Sequence, residues 1–271
     1  MKKIAFVWFW EQASEVMPNW RDGLRAAMEF ISQNHHVQWF FDKEVPSPED
    51  NFDIILLWSD DSCEFIKHLP DYSAKKGLFL TTNPHNQGNL LAFDAVFCES
   101  TPVLQEVRNL GAKGVKAFAT DQEFFSPPIK PINKTIEYFY PATFSPWKRQ
   151  SKIAYLGDKL LCVGTIQPDG KTEYQECIDK GVKVEVGYFP AIKIRNYYRK
   201  SKRVTIPAIH GSERTVLEAM SNDIVPTVNP ENIKACSYLE ELKESGLGPR
   251  EFILKNYSAQ KYANVVMEAL I

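Results

Sequence analysis

The residues best suited to chemistry lie together in Pro207-Ala208-Ile209-His210-Gly211-Ser212-Glu213-Arg214-Thr215-Val216-Leu217-Glu218-Ala219-Met220. A strand-like run ends at a proline, crosses a glycine turn and enters a helix. Free backbone N–H groups and the helix dipole at such an N-terminus suit a pyrophosphate. Gly211 lets the backbone approach a ligand closely, Ser212 and Thr215 add hydroxyls, and Glu218 is spaced to accept two hydrogen bonds from a ribose diol. The same residues also read as a Ser-capped helix in which Arg214 and Glu218, four apart, form an exposed ion pair. A second concentration, Lys193, Arg195, Arg199, Lys200, Lys202 and Arg203 around Tyr197 and Tyr198, reads either as a surface for a phosphate-bearing partner or as the solvated face of a helix.

The elements that must position these groups fall into two series. Residues 3–9, 37–41, 52–58, 76–81 and 94–98 are short apolar runs, separated in part by helix-length segments; the run Phe52–Trp58 has the continuous character of strands buried on both faces. The pattern pauses at Ser126-Pro127-Pro128-Ile129-Lys130-Pro131, where three prolines in five residues exclude a helix or central strand and read as a stiff linker. A second series follows at 136–140, 160–164, 182–186, 203–207 and 224–228, with helices between most of them and a terminal amphipathic helix over 258–270. The spacing predicts an α/β protein of two Rossmann-like domains: residues 1–126, a linker at 127–135 and residues 136–271, with a ligand cleft where strand C-termini converge.

Composition excludes several classes. A chain of 271 residues exceeds what one core usually organises, and 32 basic against 34 acidic residues create no global field for nucleic acid or anionic membrane. The five cysteines are scattered without a Cys-x-x-Cys pair, and His35-His36 stands without visible partners, so no metal site is assigned. Met1-Lys2-Lys3 leads into a short strand rather than a signal-peptide core, and no run is long enough to span a bilayer; the expected compartment is the cytoplasm. Glycine-rich dinucleotide and Walker loops, His-Glu-x-x-His and Gly-x-Ser-x-Gly are all absent, which argues against dehydrogenase, ATPase, metalloprotease and hydrolase chemistry.

Glu218-Ala219-Met220 followed by Ile224-Val225-Pro226-Thr227-Val228 resembles the Glu-Ala-Met…Gly-x-x-Pro-x-Val stretch of the group 1 glycosyltransferases, retaining enzymes of GT-B fold. Further segments agree in order over residues 90–265. Asp94–Ser100 resembles the last strand of their N-terminal domain, and Asp121-Gln122-Glu123-Phe124-Phe125-Ser126-Pro127 the segment that closes it. Phe144-Ser145-Pro146-Trp147-Lys148 resembles a loop carrying a phosphate-binding lysine, and Tyr197–Ser201 with Val204–Pro207 the helix and strand before the donor loop.

The resemblance implies transfer of a sugar from a nucleoside diphosphate sugar, retaining and without a required metal or cofactor. Glu218 would hold the ribose, Lys148 the diphosphate with Arg149 assisting, and Gly211, Ser212, Glu213, Arg214 and Thr215 would cover diphosphate and sugar. His210 stands where the family has a sugar-facing glutamate, Asp223 replaces its glycine, and Thr143 lies where an arginine is often found. His210 and His85 are the expected catalytic histidines. Trp10, Trp20 and Asn86 are the expected acceptor contacts, in the Trp8–Trp20 loop and the polar stretch Asn83–Asn89. The acceptor (glycan, protein, lipid or modified nucleic acid) and the oligomeric state stay open. So do two alternatives: a nucleotide-sugar epimerase on the same plan, and a non-catalytic nucleotide-sugar or nucleic-acid binding module.

Overall fold

The computed structural model describes residues 1–9, 13–58, 67, 69–81, 84 and 89–271. They form two compact units, residues 1–119 with 259–271, and residues 120–258.

The first unit is built on a parallel sheet of β1 (Lys3–Val7), β2 (His36–Phe40), β3 (Ile54–Trp58), β4 (Lys75–Leu80), β5 (Ala95–Cys98) and β6 (Gly114–Lys116) in the order β2-β1-β3-β4-β5-β6. Side chains alternate across a strand, so β1 and β3 feed two cores at once. Ile4, Phe6, Ile54 and Leu56 pack on one face, and Ala5, Val7, Ile55 and Leu57 on the other. The helix Gly23–Ile31 covers the first face through Leu24, Ala27, Met28 and Ile31, its N-terminus capped by Asp22, which accepts from the Arg25 N–H. The helix Thr101–Asn109 covers the other through Val103 and Val107.

The terminal helix Ala259–Leu270 has the expected amphipathic face, but it belongs to the first unit, not to a domain running to residue 271. Tyr262, Ala263, Val266 and Leu270 lie in the core with Ile4 and Phe6, and Tyr262 meets Phe79 edge-on at 5.7 Å. An apolar stripe records that a helix is buried, not which sheet buries it. The proline-rich segment likewise starts inside the second unit rather than between two: Arg199 Nε donates to the Ser126 carbonyl at 2.8 Å, and Phe125 is fully buried against Tyr198.

The second unit holds β7 (Ile136–Pro141), β8 (Leu160–Gly164), β9 (Lys183–Val186), β10 (Ser201–Ile206) and β11 (Thr227–Val228), all parallel, in the order β11-β10-β7-β8-β9. The expected strand over 224–228 shrinks to β11, because Asp223 turns the chain through a positive φ of 61° before Thr227 pairs with Thr205. The chain runs outward through β7, β8 and β9 and then returns to place β10 on the other side of β7. That reversal puts a crevice at the carboxyl ends of β7 and β10.

Candidate functional site

Two loops meet at this crevice, one after β7 (residues 142–149) and one after β10 (residues 207–212). The first is pinned by glycines of the neighbouring connection. A Cβ on Gly170 would lie 1.9 Å from the Phe144 carbonyl oxygen, and one on Gly164 2.3 Å from that of Ala142. No larger residue allows so close an approach. The buried Gln150 donates to the carbonyls of Ala142 and Thr143 at 3.3 and 2.9 Å, fixing the loop from its far end. The second loop is tied to the first through the Ile209 N–H, which donates to the Trp147 carbonyl at 2.9 Å.

Lys148 is thereby carried onto the N-terminus of the helix Glu213–Ser221. Its Nζ donates to Ser212 Oγ at 3.0 Å and to the His210 carbonyl at 3.3 Å. Tyr140, the penultimate residue of β7, shares a hydrogen bond with the same Ser212 hydroxyl at 3.2 Å. Burial pushes the Tyr140 phenol far up, so it stays neutral. Gly211 and Ser212 both sit in the left-handed region, at φ of 69° and 74°. A Cβ on Gly211 would stand 2.6 Å from Lys148 Nζ, the tip of a flexible side chain, so it is the positive φ rather than space that favours glycine there. Asn232 holds the turn from behind: its Nδ2 donates to the Gly211 carbonyl at 2.8 Å while its Oδ1 caps the next helix at Ala235.

Lys148, Gly211, Ser212 and the first turn of this helix therefore come together. Ser212 does not cap with its side chain; its left-handed backbone differs from the extended form of an N-cap, and its hydroxyl is engaged by Lys148 and Tyr140. Thr215 Oγ1 donates to the Pro141 carbonyl at 3.4 Å and joins helix to strand end. Arg149 turns to Glu231, with Nη1 2.8 Å from Oε2. Glu218 is 3% exposed, and its Oε1 accepts from Arg214 Nε at 2.6 Å; the pair expected from their spacing is present, but around a buried carboxylate rather than exposed, because the helix turns Glu218 toward the protein interior. Behind it lies the buried Tyr198 phenol, pushed well up by burial and then by the Glu218 charge. His210 is exposed at the rim.

Tyr140, Asn232 and Glu231 were not anticipated. Asn232 was findable, as an asparagine directly before a helical segment. Nothing in the strand Ile136–Pro141 marks Tyr140 as facing the Ser212 turn.

In the first unit, Trp20 is not an open stacking face. It is 9% exposed and wedged between Trp8 and Trp58, with ring centroids 4.7 and 5.1 Å away. Trp10, His85 and Asn86 lie outside the described residues. Much of the basic stretch 193–203 is engaged locally. Lys193 pairs with Glu185, Lys202 and Arg203 pair with Glu137, Arg195 lies over the Phe124 ring, and Arg199 holds Ser126.

No protein-family model and no curated protein matches the sequence. Solved structures match it along its length. HepE from Anabaena, in complex with UDP and glucose, gives a TM-score of 0.69 at 10% identity, over 100% of this chain and 99% of its own. AviGT4, a glycosyltransferase involved in avilamycin A biosynthesis, gives 0.68 at 12% identity over 100% and 97%. The UDP-GlcNAc 2-epimerase of Neisseria meningitidis, bound to UDP-GlcNAc, gives 0.53 at 9% identity over 99% of each chain. The fold is GT-B, two Rossmann-like α/β domains.

Proposed function

We propose that this chain is a glycosyltransferase of the group 1 type, moving a sugar from a nucleoside diphosphate sugar to an acceptor. The observation that carries the reading is the meeting of Lys148, the Gly211–Ser212 turn and the N-terminus of the helix Glu213–Ser221 at the strand-order reversal of the second sheet. An ammonium and the first-turn amides of a helix together favour an anion, and such an arrangement suits a diphosphate.

In this reading Lys148 leaves Ser212 for the diphosphate, and Ser212 Oγ becomes free to donate to it. As the bond to the sugar breaks, negative charge grows on the departing diphosphate. The ammonium and helix dipole stabilise that charge without rearranging, the task a divalent cation performs elsewhere. Glu218, anchored through one oxygen by Arg214, offers the other to the ribose hydroxyls. His210, at the rim, meets the sugar, and retention is the expected outcome. The first unit receives the acceptor through the segments holding Trp10, His85 and Asn86. The neighbour bound to UDP makes uridine the base to test first.

Among the described residues no helix is long and apolar enough to cross a membrane, and Cys98, Cys162, Cys177 and Cys236 are free thiols. Unpaired cysteines fit a reducing compartment, and the cytoplasm is proposed.

The test is thermal stability against a panel of nucleoside diphosphates, with Lys148→Ala and Glu218→Ala beside the wild type. A ligand at one hundred times its dissociation constant adds about 2.7 kcal/mol to the folded state. A shift for one nucleotide, lost in both variants, supports the donor site; no shift with any nucleotide sinks it. Sugar turnover without an acceptor would replace transfer by epimerisation.

A further inference from the structure

Glu213 begins the helix Glu213–Ser221, is 5% exposed, and keeps its Oε1 buried without a hydrogen-bond partner. A buried acceptor left unpaired costs about 1–3 kcal/mol, and more when it is charged. The dipole of the helix makes a negative charge tolerable in the first turn, but it does not satisfy an oxygen. Nor does Glu213 cap the helix as Asn232 caps the following one. The other oxygen turns to the Gly211 corner: a Cβ on Gly211 would stand 3.9 Å from Glu213 Oε2 and 2.6 Å from Lys148 Nζ. The bare glycine thus has both an ammonium and a carboxylate oxygen close to the space a side chain would fill. A phosphate suits the first and is repelled by the second. The partner for the carboxylate is a group rich in O–H donors, held a few ångströms from the phosphate.

Resting on the donor-site reading above, we propose that Glu213 is the specificity-determining residue for the transferred sugar. Its carboxylate accepts hydrogen bonds from the hydroxyls of a neutral hexose joined to the diphosphate, and it rejects a donor whose sugar carries its own carboxylate. The chain contains a second carboxylate in this helix, Glu218, but that one is already held by Arg214.

The test is titration calorimetry of wild type and Glu213→Gln with UDP, UDP-glucose and UDP-glucuronate, or the same trio on whichever base the wild type binds. Wild type should bind UDP-glucose more tightly than UDP and discriminate against UDP-glucuronate. Glu213→Gln should bind UDP as wild type does, which also reports an intact fold, and lose about tenfold or more of the preference for UDP-glucose over UDP. It should also narrow the gap to UDP-glucuronate. An unchanged UDP-glucose to UDP ratio in Glu213→Gln overturns the proposal and leaves the donor site standing. Loss of UDP itself in both Glu213→Gln and Glu213→Asp makes the residue structural and overturns it too. A wild type that binds no nucleotide brings down the donor-site reading and this proposal together.

Discussion

Lys148 Nζ donates to Ser212 Oγ at 3.0 Å across 64 residues of sequence, joining the loop after β7 to the loop after β10. The ammonium rests on a hydroxyl and a carbonyl where the proposed reaction needs it on a diphosphate. Lys148→Met keeps the stem and removes the charge. It should weaken diphosphate binding about tenfold or more, since a charge-assisted hydrogen bond is lost. Stability should change by less than about 1 kcal/mol, because the contact is partly exposed. Calorimetry and urea unfolding measure the two separately; unchanged affinity would remove Lys148 from the site.

The loop that carries Lys148 depends on Gly170. Its φ is ordinary, so the cost of Gly170→Ala comes from space alone: the new methyl would sit 1.9 Å from the Phe144 oxygen. The expected loss is about 1–3 kcal/mol or more, as in overpacked cores. Gly246→Ala is the control, with nothing within 4 Å of the added carbon and only a left-handed φ of 67° to strain, worth about 1–2 kcal/mol. Chemical denaturation should rank the Gly170 variant as the more damaged and the one that loses nucleotide binding.

The return of the terminal helix to the first unit predicts where damage there will appear. Tyr262 is 4% exposed and packs edge-on against Phe79. Tyr262→Ala should cost about 3–5 kcal/mol, the usual range for emptying an aromatic site. Hydrogen exchange should rise in β1, β3 and β4 and stay unchanged in β7 to β10. Loosening of the second sheet instead would contradict the assignment of residues 259–271.

Glu185 links acid to stability. The Lys193 ammonium 2.6 Å away, and then the Tyr197 hydroxyl at 2.6 Å, hold its carboxyl below the ordinary value, against a smaller opposing effect of burial. A carboxyl depressed in the folded state contributes stability above its unfolded pKa, about 4.3, and loses it as pH falls through the lower folded value. Both side chains are substantially exposed, at 42% and 36%, so Glu185→Gln should cost less than about 1 kcal/mol near neutrality. At pH 2 the variant and wild type should converge. A difference that grows on acidification would reverse the sign and refute the assignment.

Metal independence is tested by removal. Sugar transfer, once detected, should proceed at the same rate after chelation with EDTA, because Lys148 and the helix N-terminus carry the diphosphate charge. Loss on chelation with recovery on added Mg²⁺ would overturn that part of the mechanism.

The extent to which these features were legible follows their range along the chain. Strands such as Ile54–Trp58 were readable because burial on both faces demands an uninterrupted apolar run. The Gly211–Ser212 turn before an amphipathic helix was readable because its chemistry is local. The Arg214–Glu218 pair follows directly from helical spacing. Trp20 was misjudged as a candidate contact, since a tryptophan in a loop has the same spelling whether it stacks on a ligand or closes a cluster with Trp8 and Trp58.

The two α/β series and the glycine turn that leads into the helix Glu213–Ser221 could be read from the residues alone, since each rests on a pattern within one strand, turn or helix. Contacts between distant segments set the rest: the terminal helix returns to the first sheet, Arg149 turns to Glu231, and Glu213 keeps a buried oxygen without a donor. Each of these depends on which distant surface a side chain meets. Hydrophobic burial is non-directional, and a single ion pair or hydrogen bond is chosen by the geometry of everything around it.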